Sequence, residues 1–253
     1  MIEFYSFGGL KKYHNLLHAV TQKSLTYPHS LSLALHTGEN EEAIVQNREV
    51  IAKHFESAEH LHFVVANQTH SDHIRVMTKA ETKGWENQKD AIEDCDALIT
   101  QEKKVILTIL TADCVPILLF DPIQEVVAAV HAGWKGTQAK IVAKTVLKMQ
   151  TLFDSQPGDI LAAIAPSIGR CCYEVGDDVT KHFFDTPDAF TRKDDKYMLD
   201  LPYINKYQLL DAGLEESNIE MSDVCTACEV EHYFSYRKEQ GCSGRFMSMI
   251  GMK

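Results

Sequence analysis

No stretch of this sequence approaches the roughly 20 consecutive apolar residues that a membrane-spanning helix needs. The opening segment, Met1 to Tyr13, has no charged head followed by an apolar run. The expectation is a cytoplasmic protein with no membrane partner. Blocks of basic charge are missing too: 25 Lys plus Arg stand against 36 Asp plus Glu, a formal charge of -11. Nothing there could track a phosphate backbone, so nucleic acid is not an expected partner. There is also no internal repeat, no low-complexity tract and no Pro/Gly/Ser-rich linker to mark a boundary. With 45% apolar residues in 253, the chain can bury a substantial core, and a single domain over 1–253 is expected.

Disulfide staples are not expected either, because seven cysteines form an odd set in a chain too long to need them. Cys225-Thr226-Ala227-Cys228 has the spacing of half a zinc ribbon or of a redox pair, but no second such pair exists. Cys171 and Cys172 are adjacent, and packed, reduced thiols are the expected state of this group.

What is present alternates between strand and helix patterns. Leu31, Leu33 and Leu35 fall on one face of a strand, and Ile44, Ile51 and Phe55 recur at helical spacing behind an Asn40 cap. His62 to Ala66 reads as a strand. Val105 to Leu110, Val115 to Phe120 and Val126 to Val130 read as strands buried on both faces. Thr137 is expected to cap a helix with Val142, Val146, Met149 and Phe153 on its core stripe and Lys140, Lys144 and Lys148 in water. Ile160 to Ala165 is another strand, followed by a turn at Pro166-Ser167-Ile168-Gly169. Later helices start near Asp177 and at Pro202, the second ending at Gly213. The fold class is therefore mixed α/β, a layered sandwich.

The chemistry gathers at strand ends. Thr111-Ala112-Asp113-Cys114 and His131-Ala132-Gly133-Trp134-Lys135-Gly136 place a thiol and an imidazole beside apolar runs, and Gln68-Thr69-His70 lies upstream. A thiolate and two imidazoles can hold one zinc and leave the fourth position open, as catalytic zinc sites do. Neighbouring strands about 4.8 Å apart would bring Cys114 and His131 to one ion. Periodicity does not choose between His70 and His73 as the third ligand.

Seven segments occur in order that resemble one family: Gln68-Thr69-His70, Asp96 to Thr100, Thr111 to Pro116, His131 to Gly136, Pro166 to Gly169, Cys171 to Val175, and Phe234-Ser235-Tyr236-Arg237. Together they are similar to the bacterial YfiH/YlmD-type family, formerly labelled multicopper polyphenol oxidase or laccase-like and related to mammalian laccase-domain purine enzymes. The resemblance covers about residue 60 to the C-terminus. It implies a four-layer α-β-β-α sandwich and a zinc site at His70, Cys114 and His131. It also implies phosphorolysis of adenosine, inosine and methylthioadenosine, and deamination of adenosine. The expected partners are then purine nucleosides and phosphate, with the chain a monomer or homodimer. Ser71, where the family more often has Gly, and Arg170 before Cys171 depart from the pattern.

Zinc brings the pKa of water at its open position toward about 7, which suits attack on C6 of adenine. Asp113 and Glu174 are the carboxylates available as acid/base, and Asp113 is equally a turn or orienting residue. Gln68 is a candidate to bind purine or to orient His70. Lys135, Arg237 and Arg245 are candidates for the phosphate, with Gly133, Gly136 and Gly244 letting backbone amides approach it. His232, Tyr233 and Tyr236 are candidates for an aromatic wall.

Other readings use the same atoms. Cys114 activated by His131 without metal would make a Cys-His hydrolase or deamidase, as in a toxin deamidase of related fold, but would leave His70 without a role. Two His and one Cys with an axial Met is a copper electron-transfer set, and Met247, Met249 and Met252 lie near the C-terminus. Copper would occupy such a site in vitro by the affinity order alone. A non-catalytic metal buffer or accessory protein is the remaining class.

Overall fold

The computed structural model describes residues 2–55 and 60–253; residues 1 and 56–59 of the expected 1–253 domain lie outside them. Strands run, in chain order, over Phe4–Tyr5 (β1), Leu16–Thr21 (β2), His62–Val65 (β3), Ile74–Val76 (β4), Ala97–Thr100 (β5), Val105–Thr111 (β6) and Val115–Asp121 (β7). They continue over Val126–Ala132 (β8), Leu161–Ile164 (β9), Glu174–Val175 (β10), Phe190–Lys193 (β11), Lys196–Leu199 (β12), Ile219–Met221 (β13) and Phe246–Met252 (β14). The α-helices are Gly8–Lys11 (α1), Glu41–Phe55 (α2), Trp134–Gln138 (α3), Ile141–Phe153 (α4), Asp177–Thr180 (α5) and Leu201–Asp211 (α6).

Two sheets carry the fold, one five-stranded in the order β1-β2-β14-β6-β3 and one six-stranded in the order β13-β9-β7-β8-β5-β4. The four strands β6, β7, β8 and β14 are buried at every position. That is the burial expected of strands covered on both faces, and it explains why their sequences are continuous apolar runs rather than alternating ones.

The side chains sort by face. Leu107, Ile109 and Ile250 from one sheet meet Leu118, Phe120, Val127 and Ala129 from the other in the central core. On the outer side of the six-stranded sheet, Ile117, Leu119 and Ala128 meet Val142, Val146 and Met149 of α4 and Ile204 and Leu209 of α6. On the outer side of the five-stranded sheet, Leu17, Ile106 and Met249 meet Ile51 of α2. The layers are thus helix, sheet, sheet, helix, the mixed α/β sandwich expected. Among the described residues, no helix is long and apolar enough to cross a membrane.

Two local expectations are corrected. Leu31, Leu33 and Leu35 are buried but form no strand; a left-handed turn, with His29, Ser30 and Leu31 at φ 50°, 54° and 66°, precedes irregular chain. The carbonyls of Ser32 and Leu33 accept from the side chains of Asn47 and Arg48 on α2, at 2.9 and 2.8 Å, so side chains replace a strand ladder there. Thr137 is no helix cap. It lies inside α3 with its hydroxyl accepting from Asn205 at 3.0 Å, while Lys140, at φ 58°, breaks the chain between α3 and α4. The Asn40 cap is present, its side chain accepting from the Ala43 amide at 2.9 Å.

Candidate metal centre

Strand pairing brings the site together. β7 and β8 are antiparallel, with Pro116 opposite His131 and Val115 opposite Ala132. Cys114, one residue before β7, therefore lies beside Gly133, one residue after β8. β5 flanks β8 on its other side, and the His131 amide donates to the Asp96 carbonyl at 2.7 Å, so Asp96 stands next to His131. The segment between β3 and β4 crosses from one sheet to the other and carries His70 over this end.

A buried carboxylate holds that crossing in place. Asp96 is wholly buried and accepts from the amides of Thr69, His70 and Ser71 at 3.2, 3.1 and 2.7 Å. The Ser71 hydroxyl donates to it as well, at 2.7 Å. The departure at Ser71 thus adds a hydrogen bond to the same carboxylate. His70 itself has φ 63°, a left-handed conformation that this clasp sustains.

Asp96 was absent from the sequence-derived site, although it opens one of the seven segments, Asp96 to Thr100, that carry the family resemblance. Its other contact defines the centre. Oδ1 pairs with Nδ1 of His131 at 2.7 Å, which fixes the tautomer and turns Nε2 toward Cys114.

The donor atoms of His70, Cys114 and His131 all lie within 4.8 Å of one another. Nε2 of His70 is 3.7 Å from Sγ of Cys114, and the two imidazole rings meet edge to face at 4.9 Å. His73 is not part of the group; it pairs with Asp94 at 2.8 Å on the surface. Gly133 explains the tightness: a Cβ there would lie 2.8 Å from Cδ2 of His70 and 3.1 Å from Sγ of Cys114.

The electrostatics favour a Cys114 thiolate beside a charged His131, whose proton a bound cation would replace. Burial pushes the Cys114 thiol up, but the His131 charge and hydrogen bonds from both imidazoles outweigh it and bring the thiol down to about 6. Burial likewise opposes charge on His131, yet the Cys114 thiolate and the Asp96 carboxylate raise it to about 9. Asp96 is pulled well below the usual carboxylate range despite burial, chiefly by His131 and Ser71. One soft thiolate, two imidazoles and a carboxylate behind one of them are the donor chemistry of a zinc site with an open position.

A cleft of ≈ 240 Å³ opens over His70 and Cys114, with His131 buried behind them, and is lined also by Asp113, Trp134, Lys135, Ile168, Tyr173 and Leu201. The larger depression of ≈ 920 Å³, between α2 and the 79–93 segment, shares no lining residue with it.

The remaining sequence candidates divide. Lys135 lines the cleft with its ammonium 5.7 Å from the Trp134 ring. Asp113 also lines it, at φ 89°, but its carboxylate accepts from the Thr226 hydroxyl at 2.7 Å and the Arg237 amide at 2.6 Å. Gln68 is spent on the backbone: its amide nitrogen donates to the Leu110 carbonyl and its oxygen accepts from the Leu110 amide, both at 2.8 Å. Arg237 donates to the Glu174 carbonyl at 2.9 Å and lies over the Tyr173 ring at 5.3 Å.

Arg245 is folded back on the carbonyls of Ser243 and Gly244, at 2.7 and 2.9 Å, and lies 5.8 Å from the Tyr236 ring. Tyr236 is exposed, while Tyr233 is buried in the central core, so no common wall forms with His232. The Glu174 carboxylate is drawn out to Lys193 and Lys196 at 3.3 and 3.2 Å. Met247, Met249 and Met252 are wholly buried in the apolar clusters.

A family model described as multi-copper polyphenol oxidoreductase laccase matches residues 18–253. Purine nucleoside phosphorylase YlmD of Bacillus subtilis is 37% identical over 230 residues, covering 88% of this chain and 82% of that protein. A protein named adenosine deaminase, from an unknown prokaryotic organism, is 36% identical over 197 residues, 75% of each chain. The crystal structure of YlmD from Geobacillus stearothermophilus superposes with a TM-score of 0.91 at 31% identity, with 100% of both chains covered.

Proposed function

The chain belongs to the multi-copper polyphenol oxidoreductase laccase family, and on that footing we propose that it is a zinc-dependent purine nucleoside enzyme. Its reactions are phosphorolysis of adenosine, inosine and methylthioadenosine to free base and the ribose 1-phosphate, and deamination of adenosine to inosine. The observation that carries the reading is the convergence of His70, Cys114 and His131, the first two of which line a cleft. The relatives named as a purine nucleoside phosphorylase and as an adenosine deaminase support the substrate class.

His70, Cys114 and His131 would hold the metal, which when bound supplies Lewis acidity at its open side. The protein's own groups do the rest. Asp96 keeps Nε2 of His131 free for the metal by holding Nδ1. Trp134 and Tyr173 offer flat apolar surface to a purine ring, and the Lys135 ammonium at the cleft is the cation placed for phosphate. Asp113 fixes two loop segments through Thr226 and Arg237, which gives its carboxylate a positioning role.

In phosphorolysis a phosphate oxygen bonds to C1′ as the C1′–N9 bond breaks and the purine takes up a proton. In deamination water adds at C6 and ammonia leaves. Incubating the protein with each nucleoside, with and without phosphate, and resolving products by chromatography beside Cys114→Ala tests both. Phosphate-dependent base from the wild type alone supports phosphorolysis. No product from any nucleoside by protein with zinc bound would reject the assignment.

A second reading is favoured by one observation: without metal, Cys114, His131 and Asp96 form a thiolate, imidazole and carboxylate chain of the Cys-His hydrolase kind. Turnover that survives chelation would select it over the zinc enzyme. A multicopper oxidase is less well served. Among the described residues, the one donor cluster that contains imidazoles is His70, Cys114 and His131, whereas an oxygen-reducing copper cluster needs many more histidines.

A further inference from the structure

The fold closes a second group of donors that the sequence keeps 53 residues apart. The turn after β9 carries Cys171 and Cys172, and the segment after β13 carries Cys225 and Cys228. Their four sulfur atoms all lie within 4.8 Å of one another. Sγ of Cys228 is 3.6 Å from that of Cys171 and 3.5 Å from that of Cys172. The adjacent pair therefore supplies the half-site missing from the lone Cys-x-x-Cys.

These are not the packed core thiols expected from composition. Cys171 and Cys228 are exposed and the other two half-buried, and all four are free thiols. The spacing suits a shared cation better than a disulfide. A disulfide needs about 2.05 Å between sulfurs, whereas four thiolates about 2.3 Å from a tetrahedral zinc stand about 3.8 Å apart. Four thiols held this close have no apolar surface to gain, and their ionised forms repel one another unless a cation lies among them.

We propose that Cys171, Cys172, Cys225 and Cys228 form a closed four-thiolate zinc site, separate from the cleft, whose role is to lock the two loops that wall the cleft. The surroundings fit a negatively charged metal-thiolate centre. The Gly169 amide donates to Sγ of Cys225 at 3.3 Å. The Arg237 guanidinium reaches the Cys172 carbonyl at 3.5 Å and places a positive charge beside the group.

The mechanical consequence follows from what the two loops carry. Ile168 and Tyr173, on either side of Cys171 and Cys172, line the cleft, and Thr226, between Cys225 and Cys228, grips the Asp113 carboxylate. Apart from the sulfurs, the loops are joined by the Ser167–Cys225 bridge, whose amide bonds are 3.3 and 3.0 Å. A metal clip beyond that bridge would fix the wall against the floor at Asp113.

The test uses the full chain with Cys114→Ala, which removes the cleft thiolate, stripped of metal under reducing conditions. Titration with zinc, and separately with cobalt, should give one equivalent per chain and an intense thiolate-to-cobalt charge-transfer band. Zinc should also protect four thiols from a thiol reagent and slow amide exchange over residues 167–173 and 224–229. Adding Cys225→Ser should abolish the band, and the exposed Cys228→Ser should do the same where Cys225→Ser fails to fold. No bound equivalent and no charge-transfer band would overturn the proposal. So would a disulfide among the four in protein prepared with reductant, seen by intact mass and peptide mapping.

Discussion

The Asp96 carboxylate and the His131 imidazole, 2.7 Å apart and both buried, join the backbone clasp of one loop to the orientation of a metal-binding ring. Because the same carboxylate holds the amides of His70 and Ser71, one residue positions two of the three donors.

Asp96→Asn keeps the shape and removes the charge, and its amide cannot accept at both oxygens as the carboxylate does. Zinc affinity should fall by about 10- to 100-fold, the usual cost of losing a partner behind a metal ligand. Competition titration with a chromophoric chelator reads this directly; an unchanged affinity would remove Asp96 from the centre. The pH dependence has a definite sign. A carboxyl group held below its unfolded value contributes stability above about pH 4, and that contribution is lost as acid protonates it in the folded state. Denaturant melts of the wild type should therefore lose stability below about pH 4 more steeply than those of Asp96→Asn.

Metal-free protein should show Cys114 as a reactive thiolate. Its alkylation rate, taken as wild type minus Cys114→Ser, should rise with a midpoint near 6, well below the roughly 8.5 of an ordinary thiol. His131→Ala removes the largest charge holding that thiol down and should move the midpoint upward by at least one unit on the pH axis. Zinc should suppress the reaction. A midpoint above 8 in the wild type would contradict the ion-pair geometry.

Gly133 separates packing from backbone effects. Its φ of -71° and ψ of 175° suit any residue, so Gly133→Ala carries no backbone strain, and the atoms nearest its added methyl belong to His70 and Cys114. The variant should melt within a few degrees of the wild type while zinc affinity drops at least tenfold. Equal affinity would mean that the two donors move apart freely.

Much of this was legible before the fold was seen, for a physical reason. Strands buried on both faces announce themselves as apolar runs, so β6, β7 and β8 and the thiol and imidazole at their ends were evident from the chain. What stayed hidden depends on neighbours remote in sequence. β14 reads as a Met-rich tail until it pairs between β2 and β6, and Leu31 to Leu35 alternates like a strand but is satisfied by Asn47 and Arg48. Asp96 opens one of the segments that carry the family resemblance, but among 36 acidic residues only its burial against His131 shows its role. Gln68, a candidate to bind purine or to orient His70, pairs with the backbone of Leu110.

That last difference is measurable. Gln68 imitates a strand partner for Leu110, so Gln68→Ala leaves a backbone donor and acceptor at the edge of β6 without their partners. The cost should be about 1–3 kcal/mol of stability, seen as a lower denaturation midpoint with unchanged slope, while metal stoichiometry stays as in the wild type. A variant of normal stability with a raised KM for nucleoside alone would return Gln68 to the substrate.

Phosphate handling distinguishes the three cations. Only Lys135 of the three lines the cleft, whereas the Arg237 and Arg245 guanidinium groups are engaged with backbone carbonyls. Lys135→Ala should therefore raise the KM for phosphate roughly tenfold, the equivalent of about 1.4 kcal/mol for a charge-assisted contact, with stability and zinc content unchanged. Arg237→Ala should instead act on the loop, lowering the melting temperature and kcat together with little change in the phosphate KM. Initial rates over a phosphate series at saturating inosine separate the two. If Arg237→Ala raised the phosphate KM and Lys135→Ala did not, the anion would lie on the Tyr173 side of the cleft, under the guanidinium rather than the ammonium.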